Sequence, residues 1–188
     1  MSELRNRILE KLRFYEPRQI QASDRIPAAV LMPFFEKDGE PHLLFTKRTA
    51  HVQYHRGEIC FPGGAQERID ASLQATALRE LYEEIQVPSH HVEILGRLDS
   101  IRTVSSYFLV VPYVGYLKEV TRFEPDPLEV EEILQIPFRH FEDPSIFSEE
   151  IRIVEQEPHA VYYYQWQSHT IWGLTARILK TLLDLLRT

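Results

Sequence analysis

The segment Pro62-Gly63-Gly64, followed after a short polar loop by Arg79-Glu80-Leu81-Tyr82-Glu83-Glu84, constrains this chain more than any other. Adjacent glycines mark a place where the backbone turns or approaches another group closely. They are informative here because the chain has only 7 glycines in 188 residues. Ala71 to Ile85 has helical spacing. On a helix wheel Ala77, Leu78, Leu81 and Ile85 fall on one side. Glu80, Glu83 and Glu84 fall on the other, within an arc of roughly 100°. Like charges at those spacings destabilise a helix by about 0.2–0.5 kcal/mol per pair. Arg79 is four residues from Glu83 and offsets only part of that charge. Two readings follow: a solvated acidic face, or oxygen ligands for a hard divalent cation. The glycine turn favours the second, because a carbonyl there can join the carboxylates around one ion. The commonest task for such an ion is phosphate chemistry.

The surrounding pattern sets the fold class. Leu4, Ile8, Leu9 and Leu12 predict a packing helix within an N-terminal helical extension over 1–25. Ala28 to Phe35 and His42 to Lys47 read as a hairpin about Lys37-Asp38-Gly39. Ile59 to Phe61, Val92 to Leu98 and Tyr107 to Leu117 read as strands, and Pro112 predicts an edge or a bulge in the last. Glu129 to Ile136, after the rigid Pro125-Asp126-Pro127, leads into another strand and then a short helix near Phe138 to Phe141. Ile151 to Val154 and Val161 to Trp166 suggest a late hairpin. Its aromatics belong either to the core or to a homodimer surface. Leu174, Ile178, Leu182 and Leu185 predict an amphipathic helix within 170–188. Strands and helices mix without regular alternation, which predicts an α+β fold. The length suits a single domain over 1–188.

A net charge of −7 argues against broad nucleic-acid binding. It still allows an anionic substrate bridged by metal ions. No apolar run reaches membrane-spanning length, so no membrane partner is expected. Cys60 is the only cysteine, which excludes an intrachain disulfide, and it reads as a small buried residue. A reducing, cytoplasmic setting is the expectation.

The acidic segment resembles the signature of the Nudix hydrolases, G-x5-E-x7-R-E-U-x-E-E-x-G-U, where U is bulky and apolar. Gly64 matches the first glycine, Arg79-Glu80-Leu81-Tyr82-Glu83-Glu84 the core, and Val87 the last apolar position. Asp70 stands at the first acidic position, one residue further from the arginine, and Gln86 replaces the second glycine. Upstream, Leu43-Leu44-Phe45-Thr46-Lys47-Arg48-Thr49-Ala50 and Gly57-Glu58-Ile59-Cys60-Phe61-Pro62-Gly63-Gly64 are similar to the motif of the coenzyme A pyrophosphatases. Gln53 falls where that motif has its second arginine, and Arg56 lies three residues on.

The resemblance implies a Nudix fold, a mixed β-sheet sandwiched between α-helices. It implies Mg²⁺- or Mn²⁺-dependent cleavage of a diphosphate in a small nucleotide substrate. Coenzyme A is the leading substrate; ADP-ribose or a nucleotide sugar is the alternative, and a non-catalytic nucleotide-binding module comes behind both. On this basis Glu83 and Glu84 are the first candidates as metal ligands, followed by Glu80 and the Gly64 carbonyl. Arg79 is expected to orient Glu83 or a loop carboxylate. Glu129 is the loop candidate for the general base, against a reading of Glu129, Glu131 and Glu132 as a solvated run. Arg48 and Arg56 are candidates for substrate phosphates, since guanidinium donors match phosphate geometry.

Overall fold

A computed structural model describes residues 3–50, 57–103, 106–118, 122–154 and 156–188. Gln53 and Arg56 lie outside the described residues. The N-terminal helix α1 (Glu3–Phe14) is followed by the hairpin β1 (Ile26–Lys37) and β2 (Glu40–Arg48). Two short strands, β3 (Ile59–Cys60) and β4 (Gly63–Ala65), lead to helix α2 (Leu73–Ile85). Then come β5 (Val92–Arg97), β6 (Ile101–Arg102), β7 (Phe108–Leu117) and β8 (Val130–Pro137). Strands β9 (Phe147–Val154), β10 (Glu157–Trp166) and β11 (His169–Trp172) precede the last helix, α3 (Gly173–Arg187).

The main sheet is mixed. β1 and β7 run parallel, from Ile26 opposite Phe108 to Phe34 opposite Tyr116. Its other pairings are antiparallel, and the path runs β3-β2-β1-β7-β5, with β4 on β1, β6 on β7 and β8 on β2. Side-chain alternation along β1 and β2 builds a core on each face. Leu31 and Leu44 point to α2, where they meet Ala77, Leu81 and Ile85. Met32, Phe34, Leu43 and Phe45 point the other way, toward α1 and α3. Phe45 stacks on Phe61 at 4.8 Å between centroids. The sheet is thus covered on both sides, and this is the expected α+β arrangement.

Pro112 was expected to make an edge or a bulge of its strand, and it does neither. β7 is interior and continuous. The Pro112 carbonyl accepts from Leu98 N–H, between the residues of β7 that pair with β5 and those that pair with β6. The missing N–H therefore falls where the neighbouring strand is interrupted, and the irregular register is in β5, between Ile94 and Gly96. The late hairpin is longer than its periodicity suggested and has a third strand, β11.

Ser72 caps α2, its hydroxyl accepting from Ala75 N–H at 3.2 Å. The helix ends at Gln86, in the left-handed region at φ 58° and ψ 33°. This is the position where the family signature has glycine, and a side chain there is strained. Gln86→Gly is expected to stabilise the protein by about 0.5–1 kcal/mol. Denaturant unfolding measures it, and a lower midpoint would show that the Gln86 side chain adds more than its backbone costs.

Candidate active site

Three chain segments meet at α2: the end of β2, the β3–β4 turn and the loop before β8. Their meeting point is Glu84, whose side chain is only 1% exposed. It accepts from the Thr46 hydroxyl at 3.0 Å, Gly63 N–H at 3.3 Å and Arg48 Nη1 at 3.5 Å. Burial pushes its carboxyl up to about 7 despite the Arg48 charge. The wheel put Glu84 with Glu80 and Glu83, away from the apolar side. In the structure it lies on the buried edge of the helix. It follows Ala77 by seven residues, close to two full turns, and so returns to nearly the same bearing.

Glu80 and Glu83 are arranged differently. Glu83 is half exposed. Glu80 is largely buried, which raises its carboxyl pKa. Arg79 Nη1 reaches Glu80 at 2.8 Å and Glu83 at 2.7 Å. The same guanidinium donates from Nε to Asp70 at 3.0 Å and from Nη2 to the Ala65 carbonyl at 3.0 Å. Asp70 also accepts from the Thr76 hydroxyl and Glu67 N–H. Arg79 thereby ties the loop to the helix and holds two of the three glutamates.

The hydrogen bonds from Arg79 hold the Asp70 carboxyl down at about 2. A depressed carboxyl stabilises the fold above its unfolded value, near 3.8, and that stabilisation is lost as pH falls through the folded value. Asp70→Asn is therefore expected to lower stability by about 1–2 kcal/mol at neutral pH. The difference from wild type should shrink as pH falls from about 4 toward 2. Urea unfolding across that range checks it; a gap independent of pH would rule out the ion pair as its origin.

Glu129 stands at the entry to β8, about half exposed, with Arg48 Nη2 at 3.7 Å. Arg48 thus lies between Glu84 and Glu129 and faces carboxylates. Its neighbour Lys47 is paired with Glu131 at 2.6 Å, and Glu132 faces His169 at 3.6 Å. Burial pushes the Cys60 thiol up to about 12, as suits an inert residue. Sequence reasoning missed Thr46, a fully buried threonine amid an apolar strand. The signal was its facing partner: a buried hydroxyl needs an acceptor, and Glu84 provides it.

The residues present suit a hard divalent cation in chemistry. The donors on α2 are all carboxylates, and Gly64 leaves a cradle beside them. A Cβ at Gly64 would lie 2.4 Å from Glu80 Oε1, so the carboxylate rests directly against the glycine. Among the described residues, no three Asp, Glu, His or Cys side chains already surround one point. Arg79 holds Glu80 and Glu83, while Thr46 on one oxygen and Gly63 and Arg48 on the other hold Glu84. A cation among these carboxylates would take the place of part of their arginine contacts.

The NUDIX domain family matches residues 25–164. A protein of Photorhabdus laumondii described as an uncharacterized Nudix hydrolase NudL is 39% identical over 168 residues, covering 88% of this chain and 87% of that protein. The Cronobacter sakazakii protein of the same description is 32% identical over 187 residues, covering 94% and 92%. Among solved structures, a MutT/nudix family protein from Enterococcus faecalis superposes with a TM-score of 0.54 at 13% identity, over 98% of this chain and 75% of that one. The NUDIX domain of Shewanella oneidensis NrtR, solved with ADP ribose, gives 0.51 at 22% identity, over 75% and 86%. With its mixed sheet and acidic helix, the chain belongs to the Nudix hydrolases and is a pyrophosphohydrolase.

Proposed function

We propose that the protein hydrolyses the diphosphate of coenzyme A or its derivatives, giving 3′,5′-ADP and 4′-phosphopantetheine. The reading is supported by one observation above others. The upstream stretch that resembles the coenzyme A pyrophosphatase motif is built into the same site as the acidic helix: Thr46 and Gly63, both from that stretch, donate to Glu84. Nudix hydrolases generally use divalent metal ions, and Mg²⁺ or Mn²⁺ is proposed here, held by Glu80, Glu83, Glu84 and the Gly64 carbonyl. The bound ion supplies neutralisation of the diphosphate and acidification of water.

The chain's own groups do the rest. Thr46 and Gly63 fix the Glu84 carboxylate so that it does not turn away from the site. Arg79 positions Glu80 and Glu83 while Asp70 holds Arg79. Glu129, about half exposed and close to Arg48, is the proposed general base for the attacking water. Arg48 exchanges its loose carboxylate contacts for a substrate phosphate oxygen, and Arg56 is the second candidate for that role.

The alternative substrate is ADP-ribose or a nucleotide sugar, and Gln53 is the feature that favours it. Comparing kcat/KM for coenzyme A, ADP-ribose and a dinucleoside polyphosphate with Mg²⁺ or Mn²⁺ separates the two. Preference for coenzyme A supports the proposal. Preference for ADP-ribose removes it and leaves the Nudix chemistry intact.

A further inference from the structure

We propose that β9 is a homodimerisation strand, pairing antiparallel with β9 of a second copy of this chain. The small sheet has the order β11-β10-β9, so among the described residues β9 has a neighbour on one side only. Ser148 through Ile153 are all exposed. Ile151 is 59% and Ile153 is 69% exposed, the exposure of a strand that no other described residue covers. Both isoleucines lie on one face, and their partners on β10, Ala160 and Pro158, are exposed beside them. A free edge is a template for another strand, and the charges of Glu149, Glu150 and Arg152 blunt it against strands that do not complement them.

The charges on β9 select the occupant. A strand that pairs with its own copy about a two-fold axis must be complementary to itself. Centring the axis on Ile151 sets Ile151 against Ile151, Glu150 against the second copy's Arg152, and Arg152 against its Glu150. Glu150 and Arg152 are already paired within one chain at 3.0 Å, on the face opposite the isoleucines. The four charges then alternate in sign around a square. Moving the axis one residue in either direction sets Arg152 against Arg152 or Glu150 against Glu150, and like charges directly opposite are destabilising. On the other face only the central Ile151 pair is apolar against apolar, since this register sets Ile153 against the second copy's Glu149; Ile151 supplies the burial, and the Glu150 and Arg152 pairs fix the register.

Sedimentation equilibrium or light scattering on the full chain tests this. Wild type is expected at twice the monomer mass of 22.2 kDa at micromolar concentration. Arg152→Glu and Glu150→Arg each place like charges opposite and should weaken the dimer at least about tenfold. The double variant Glu150→Arg, Arg152→Glu recreates the complementary set and should restore the dimer. Coenzyme A hydrolysis or, failing that, thermal unfolding confirms that the variants are folded. A monomeric wild type, single variants that dimerise as wild type does, or a double variant that stays monomeric would each overturn the proposal.

Discussion

Glu84→Gln is expected to lose about 10²- to 10³-fold in turnover while melting no lower than wild type. The two effects separate because Glu84 is buried. Its carboxyl is pushed up to about 7, so ionising it in the folded protein costs more than in water. With its oxygen in the place that faces Gly63 and Arg48 an amide still accepts from Gly63 N–H, its NH2 can donate to the Thr46 hydroxyl on the other side, and it removes the cost of an ionised group in the interior. What it removes from the site is a negative charge facing Arg48 and available to a cation. Glu132→Gln is the matched control, since Glu132 lies on β8, faces His169 and is about half exposed. It should retain near wild-type activity. Steady-state kinetics and thermal unfolding of both variants give the comparison, and equal losses of activity would overturn the ranking.

The adjacent glycines are expected to fail in different ways. Gly63 lies in β4 against β1, and a Cβ there would sit 2.4 Å from the Ala29 carbonyl oxygen and 2.7 Å from Val30 Cα. Both obstacles are backbone of a central strand, which cannot move without breaking the sheet. Gly63→Ala should therefore cost about 3 kcal/mol or more. At Gly64 the obstacle is the end of the Glu80 side chain, at 2.4 Å. That carboxylate can rotate away, so Gly64→Ala should keep its fold within about 1 kcal/mol of wild type. It should nevertheless lose about 100-fold in turnover, because Glu80 leaves its place. Urea unfolding and kinetics on both variants distinguish the cases. A destabilised Gly64→Ala, or an active and stable Gly63→Ala, would contradict this account.

The parts legible in the sequence were those that local pattern specifies. The α2 signature, the β1–β2 hairpin and the amphipathic α3 each follow from period and turn chemistry within a few tens of residues. The parts that were not legible depend on distant neighbours. Pro112 reads as a strand breaker until the gap between β5 and β6 is seen beside it. Glu84 reads as part of the acidic face, ranked level with Glu83, until Thr46, 38 residues earlier, is placed opposite it. Arg79 was expected to orient Glu83 or a loop carboxylate. The structure gives it Asp70, Glu80 and Glu83 together, a convergence that helical spacing alone does not contain. β11 was missed because four residues carry too little alternation to stand out from the loop before α3.

The most direct test is product identification after incubating wild type and Glu84→Gln with coenzyme A and Mg²⁺ or Mn²⁺. The account predicts 3′,5′-ADP and 4′-phosphopantetheine from wild type, and about 10²- to 10³-fold slower release of both from the variant. Intact coenzyme A alongside turnover of ADP-ribose would contradict the substrate assignment, and full activity in Glu84→Gln would contradict the site.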